Sequence, residues 1–421
     1  MNDWQTCDGS GRVTADPQTA AIGVSRRGLL TGVGLGLLGW VSTRSALAQI
    51  AVGPKRGGNT VVVVFLRGGA DGLSLVAPHG DDDYYRARPN LALPKRELGL
   101  LDDFFGLHPA LSPLHPLYEA GQLAAVQAVG SHDATRSHFE AMDTMERGVA
   151  DRVGPTTGWV GRYLAASDHQ GASPLRAVAF GHTTPTAFVG ATHAVTLSSL
   201  DEFRLHASDS ARATLARLYR PGRDEVAQAG RETLQVLDTL DRLDPARNPA
   251  KNGTRYPDTG LGQGLRQVAA LVRADVGLEV ACLDQGGYDT HVAQGANAGW
   301  LPTLLGELGN SLAAFAQDMG RDLDRVTVVV MSEFGRRIAE NTGLGTDHGH
   351  GGTMLLLGGG VQGGRVHAKW PGLKEGVGPG DLAVTTDYRD VLSEVLATRL
   401  AGADLGEVFV EHRSSRLGLV A

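Results

Sequence analysis

The chain alternates short, unbroken apolar runs with longer amphipathic ones. Residues 60–66 (TVVVVFL), 122–129, 176–180, 278–284 (LEVACLD), 326–331 (VTVVVM) and 354–357 are short and mostly aliphatic, the pattern of strands buried on both faces. Helical periodicity occupies 109–120, 135–147, 158–166, 264–276, 300–319 and 387–400. Strands alternating with helices predict right-handed βαβ units. The fold class is therefore α/β, with a mainly parallel sheet covered on both faces. Residues 80–105 are polar, charged and Pro-containing and read as a surface excursion. Residues 200–245 are helical with charged faces and read as a cap or helical insertion. Residues 244–260, rich in Pro, Asn and Gly, read as a loop. There is no internal repeat.

Three of the apolar runs border loops loaded with carboxylates and imidazoles. Run 278–284 leads into Gly286-Gly287-Tyr288-Asp289-Thr290-His291. Run 326–331 leads into Ser332-Glu333-Phe334-Gly335-Arg336. Run 354–357 is preceded by Thr346-Asp347-His348-Gly349-His350-Gly351-Gly352. In an open α/β sheet, loops at the carboxyl ends of strands meet at the ligand crevice. Asp, Glu and neutral His bind divalent metals through oxygen and nitrogen. The pattern predicts one metal site shared by sequence-distant loops.

Each candidate also admits a plainer role. Asp71, in the Gly-Gly-Ala-Asp-Gly turn after 60–66, is placed to hold a cation, yet Asp-Gly is a common turn pair. Ser137 stands at a predicted helix start, where an alkoxide is favoured, while Ser137-x-x-Glu140 also matches a capping box. Arg136 fits an oxyanion clamp or a solvated surface position. Asp289 and His291, two apart, are able to face one ion; Asp289 also fits a turn cap. Glu333, at the mouth of a buried strand, is unsuited to the core, and an ion pair with Arg336 or Arg337 would account for it. Asp347, His348 and His350 form the densest cluster, which an exposed glycine-rich loop would also explain. No HExxH, CxxC, EF-hand or Walker pattern is present.

Composition narrows the class. The chain has 421 residues, 42% hydrophobic and 20% charged, with a net charge of −7. That balance gives no electrostatic basis for binding nucleic acid or an anionic membrane surface. Ser25-Arg26-Arg27-Gly28-Leu29-Leu30-Thr31 is a twin-arginine pattern. An apolar segment too short to span a bilayer as a helix follows, then the small-residue site Ala46-Leu47-Ala48. Residues 1–48 are thus expected to be a twin-arginine leader, with 49–421 the mature domain in the periplasm or secreted and no stable membrane span after cleavage. Of two cysteines, Cys7 lies in this leader. Cys282 reads as a small buried hydrophobe in a strand.

Taken together, the leader, FLRGGADGL, TRSHFEAMD, GYDTHVAQ, SEFGRR and TDHGHGGTMLLLGGGV resemble the exported bacterial family catalogued as domain of unknown function 1501. That family is similar to a distant branch of the alkaline phosphatase and sulfatase superfamily. The resemblance implies a three-layer α/β/α sandwich, alkaline-phosphatase-like, with a metal-dependent hydrolytic centre. It implies Asp71, Asp289, His291, Glu333 and either His348 or His350 as metal ligands, and Asp347 stays a candidate ligand from its place in the same cluster. It also implies Ser137 as nucleophile, with Thr135 second, and Arg136 and His138 beside it. The superfamily's Asp-His pair after a strand is represented here by Glu333 alone. The expected cofactor is a divalent metal, zinc first, and the expected partner a small-molecule or envelope-derived anionic substrate, with no nucleic acid. No Cys-x-Pro-x-Arg is present, so phosphate esters rank ahead of sulfate esters. The alternative is a non-catalytic metal- or ligand-binding envelope protein on the same fold.

Overall fold

A computed structural model of the chain describes residues 58–133, 135–150, 153–167, 173–191, 193–200, 208–219, 225–242, 249–400 and 402–421. The expected leader and its cleavage site lie outside the described residues, as do parts of the expected 200–245 insertion.

Among the described residues, nine strands form the main sheet: β1 (Thr60–Leu66), β2 (Leu123–Gly130), β3 (Ala177–Phe180), β4 (Ala194–Leu197), β5 (Val280–Gln285), β6 (Val326–Ser332), β7 (Gly352–Gly358), β8 (Arg365–His367) and β9 (Thr386–Asp387). Their order is β8-β2-β7-β6-β1-β5-β3-β4, with β9 also on β2. All pairings are parallel except those of β7, which runs against both β2 and β6. The chain returns from β6 to β7 through a helix-free loop, the connection an antiparallel pair permits.

Strand β1 is buried at every position and feeds both faces in alternation, as a period of two requires. Val62, Val64 and Leu66 pack with α5 (Gly260–Arg273) and α6 (Trp300–Met319). Val61, Val63 and Phe65 pack with α1 (His138–Arg147), α2 (Trp159–Ala166) and α7 (Tyr388–Arg399). The result is a mostly parallel sheet with helices on both faces. Helices α3 (Asp209–Tyr219) and α4 (Glu225–Arg242) lie in the expected helical region. Among the described residues, no helix is long and apolar enough to cross a membrane.

The expected surface excursion at 80–105 is instead partly internal. Tyr84 is buried, and Arg88 is fully buried against Asp71. The guanidinium grips that carboxylate at 2.6 and 3.0 Å and also donates to the carbonyls of Arg337 (2.9 Å) and Ile338 (2.7 Å). Asp71 accepts from Ser74 Oγ and Gln294 Nε2, each at 2.7 Å. Burial alone would push the Asp71 carboxyl up; Arg88, Ser74 and Gln294 outweigh it and hold it below its ordinary value.

Removing one partner of such a pair strands the other charge in the core. Asp71→Ala is expected to cost about 3–5 kcal/mol of stability in urea unfolding; a loss under about 1 kcal/mol would contradict the pair's role. Because the folded-state value is depressed, the wild-type contribution is complete above the unfolded aspartate value of about 3.9 and fades as pH falls through the folded one.

Candidate metal centre

Since only β7 is reversed, the carboxyl ends of β1, β2, β5 and β6 and the amino end of β7 share one edge. Loop 67–71 leaves β1, 131–137 leads into α1, 286–294 follows β5, and 333–351 joins β6 to β7. Glycine is required where the first and third of these touch. Gly68 holds φ +115°, and a Cβ there would stand 2.6 Å from Asp289 N.

The fully buried Arg336 ties these loops together. Its Nε donates to Gly69 O (2.6 Å) and its Nη1 to Thr346 O (2.7 Å). Its Nη2 reaches Tyr288 O (3.0 Å), Gly68 O and Asp289 Oδ1 (2.8 Å). A planar guanidinium suits this, because it presents several donors in one fixed frame.

Asp289 Oδ1 is the focus. Around it stand His291 Nε2 at 3.0 Å, His348 Nε2 at 3.1 Å and His138 Nε2 at 3.3 Å. Donor atoms of His138, Asp289 and His348 all lie within 4.8 Å of one another, and this group can hold a metal ion. His291 joins them, its Nε2 2.9 Å from His348 Nε2. Phe334, buried, backs the rings of His138 and His348 at 4.9 and 5.0 Å.

The far nitrogen of each ring is committed elsewhere. His138 Nδ1 meets Glu333 Oε1 at 2.8 Å, His291 Nδ1 meets Asp347 Oδ1 at 3.2 Å, and His348 Nδ1 meets the Arg136 carbonyl at 2.8 Å. All three partners are pure acceptors when the acids are ionised, so each Nδ1 carries the hydrogen. A neutral imidazole so held presents a bare lone pair at Nε2. Three lone pairs facing one carboxylate oxygen repel unless a cation or extra protons stand among them. His138 Nε2 is buried and takes part in no hydrogen bond. The donor separations of 2.9–3.3 Å approach the ~3.3 Å edge of a tetrahedron built on metal–nitrogen bonds of about 2.0–2.1 Å. The donor set fits an ion.

Charge is arranged to match. Burial opposes the charged form of Asp289, but Arg336 holds its carboxyl well below the usual range. Burial also opposes ionised Glu333; the His138 ring and the backbone N–H groups of Gly68 and Gly69 hold it low. Glu333 in turn raises the pKa of His138, whereas burial lowers that of His348.

Several sequence expectations are redistributed. Asp289, His291 and His348 converge as ligand candidates, joined by His138, which the sequence offered only as a neighbour of the nucleophile. Glu333 and Asp347 orient imidazoles instead of pointing at the centre, the outer role that fixes a ligand's tautomer. Glu333 pairs with His138 and accepts from Gly68 N (2.8 Å), not with an arginine. Asp71 stands apart, sealed against Arg88. His350 is turned away; its Nε2 donates to Asp133 O at 2.5 Å. Arg136 is no open clamp, because its guanidinium is bound to the fully buried Asp381, a residue no sequence signal marked. Ser137 occupies the N-cap position of α1 without a side-chain cap bond, and Glu140 accepts from Thr135 Oγ1 at 2.8 Å, so the capping box that the spacing also fits is not formed.

Beyond Arg67 lies a separate cavity of about 470 Å³ whose walls include Phe65, Met145, Trp159, Phe180 and Met331. Arg67 bridges Glu146 and Asp284 at its polar side, and burial pushes the Glu146 carboxyl up. Cys282 lines this cavity half-buried, less enclosed than a core residue. None of the four converging residues lines it.

A profile of the family described as "Protein of unknown function (DUF1501)" matches residues 58–420. The chain belongs to this family. No curated protein matches the sequence. Among solved structures, this DUF1501 chain is similar to "Crystal structure of Ps i-CgsB in complex with k-i-k-neocarrahexaose". That match has 10% identity and a TM-score of 0.39, covering 83% of this chain and 74% of that one. It is also similar to "Crystal structure of Ps i-CgsB", at 10% identity and a TM-score of 0.38, covering 84% and 74%.

Ligands and their orienting partners respond differently to removal. Glu333→Ala is expected to weaken zinc binding about 10–100-fold, the usual effect of losing an outer partner. His348→Ala, which deletes a donor, is expected to weaken it further. Competition with a chromophoric chelator measures both. Equal losses would make Glu333 a direct ligand.

Proposed function

We propose that this DUF1501 chain is an exported metal-dependent hydrolase of anionic esters, phosphate ahead of sulfate, on an alkaline-phosphatase-like sandwich. The observation that carries the reading is the convergence of three Nδ1-anchored imidazoles on Asp289 Oδ1. His138, His291, His348 and Asp289 would hold the ion. Three nitrogens and one carboxylate suit zinc first. A bound divalent cation would polarise the ester oxygens and lower the pKa of an attacking hydroxyl or water.

The chain's own residues supply the rest. Glu333, Asp347 and the Arg136 carbonyl keep each Nδ1 protonated, so each Nε2 faces the centre. Arg336 keeps Asp289 ionised. Ser137 adjoins His138 at the amino end of α1, where the helix dipole favours a developing alkoxide. The missing Cys-x-Pro-x-Arg ranks sulfate second. The Arg26-Arg27 pattern and Ala46-Leu47-Ala48 support export.

One observation favours a second reading, a metal- or ligand-binding envelope protein without turnover. The nearby arginines are already engaged: Arg136 by Asp381, Arg88 by Asp71, Arg336 by Asp289 and four carbonyls. None of these three is free to neutralise the non-bridging oxygens of a phosphoryl group; Arg337 is held more loosely, its Nη1 3.7 Å from Asp347 Oδ2.

Turnover of aryl phosphate and sulfate esters by purified zinc-loaded protein separates the two. The hydrolase reading expects metal-dependent turnover, abolished by chelator and lowered at least about 100-fold in Asp289→Asn, with Ser137→Ala costing about a thousandfold or more if Ser137 is the nucleophile. Tight zinc binding with no turnover of any ester would favour the binding reading.

A further inference from the structure

The cavity beyond Arg67 has one continuous face of the sheet as its floor. Strand pairing sets Cys282 of β5 between Val63 of β1 and Ala179 of β3. One row nearer the carboxyl ends, Phe65 of β1 stands between Met331 of β6 and Asp284 of β5. Strand residues two apart share a face, and all six of these residues line the cavity. Met145 and Glu146 of α1 and Trp159 of α2 form the opposite wall. The small side chains of Ala179 and Cys282 leave room between sheet and helices. Met145, Trp159 and Met331 are buried, whereas Asp284 is 53% exposed at its side chain and His182 is exposed, so these two mark the mouth. A volume of about 470 Å³ with mainly apolar walls and a few polar groups at one end is the make-up of a small-molecule pocket.

The polar end carries an excess of negative charge. The Arg67 guanidinium lies over the Phe65 ring, 4.2 Å from its centre. Its Nη1 pairs with Glu146 Oε1 and its Nη2 with Asp284 Oδ1 at 2.9 Å. Two carboxylates thus meet one guanidinium. Among the described residues, no further Lys, Arg, Asp or Glu lines the cavity. Burial pushes the Glu146 carboxyl up, a shift that an incoming cation opposes.

We propose that this cavity binds an organic cation, an ammonium group on an apolar body, at a site separate from the candidate metal centre. The ammonium meets the outer carboxylate, Asp284, which can accept more than its one bond from Arg67. The body lies inward against Met145, Trp159 and Met331. An anion is disfavoured here, because it must compete with two carboxylates for Arg67. None of the four converging residues lines the cavity, so the site does not rest on the hydrolase reading.

Three indole probes of similar shape test the proposal: tryptamine, a cation at neutral pH, the neutral alcohol tryptophol, and the anion indole-3-acetate. Calorimetry measures their binding to the full chain carrying Cys7→Ser, with zinc and with chelator. Cys282 is then the single thiol, and its rate of modification by methyl methanethiosulfonate reads occupancy of the cavity. Tryptamine is expected to bind about fivefold or more tighter than tryptophol, with indole-3-acetate weakest. Saturating tryptamine should slow modification of Cys282 at least about tenfold, with or without zinc. Asp284→Asn, at a half-exposed position, should bring tryptamine within about twofold of tryptophol. Equal binding of cation and alcohol, or tightest binding of the anion, overturns the charge assignment. Tryptamine binding that leaves Cys282 unprotected, or that requires zinc, overturns the placement in this cavity. A preference that survives Asp284→Asn overturns the role of Asp284. No binding of any probe overturns the proposal outright and leaves the hydrolase reading untouched.

Discussion

One buried guanidinium organises the crevice. Arg336 reaches the loop after β1 through Gly68 and Gly69, the loop after β5 through Tyr288 and Asp289, and its own loop through Thr346. Four of these five acceptors are backbone carbonyls; that of Tyr288 also accepts from Thr290 N at 2.9 Å, and the others rely on the guanidinium. The fifth is the carboxylate on which three imidazoles converge. A single side chain thus fixes the loop positions and the charge of the central oxygen. Lysine has no equivalent fork and would leave most of these acceptors unpaired.

Around that anchor, inner and outer roles divide cleanly. His138, His291 and His348 turn Nε2 inward because each Nδ1 already has an acceptor. Glu333 and Asp347 contribute at one remove, and the Arg136 carbonyl does the same with no side-chain charge. Beneath them, Asp71, Arg88 and Gln294 form a closed layer. Gln294 Oε1 accepts from Thr290 Oγ1 (2.8 Å) and Thr346 Oγ1 (2.7 Å), linking that layer to both ligand loops. On the far side, Asp381 holds the Arg136 guanidinium and lies 3.5 Å from His350 Nδ1. The two histidines of the His-Gly-His segment therefore do different work: His348 faces the centre, and His350 clasps the 131–137 loop.

Much of the architecture was legible because burial on both faces leaves an uninterrupted aliphatic run. The expected strand at 60–66 coincides with Thr60–Leu66, and that at 326–331 falls one residue short of Val326–Ser332. Short strands with polar or exposed positions, Ala194–Leu197, Arg365–His367 and Thr386–Asp387, give no such run and escaped notice. Residues 80–105 misled for a related reason. Hydropathy counts Arg88 as surface, and only tertiary structure shows it sealed against Asp71. In the candidate site, Asp289, His291 and His348 stood out because they crowd the borders of apolar runs. Which carboxylate faces the centre and which faces the back of an imidazole depends on a few ångströms of loop placement that residue type does not encode. Glu333 and Asp347 were grouped with the ligands for that reason. Asp381 has only the short Leu382-Ala383-Val384 stretch beside it and no histidine in its own segment.

Anomalous X-ray diffraction from zinc-loaded crystals tests the central claim most directly. The account predicts one ion within about 2.0–2.2 Å of the Nε2 atoms of His138, His291 and His348 and of an Asp289 carboxylate oxygen, with Arg336 still bridging the three loops. An ion seated instead on Asp71, on Asp381 and His350, or directly on Glu333 and Asp347 would contradict it.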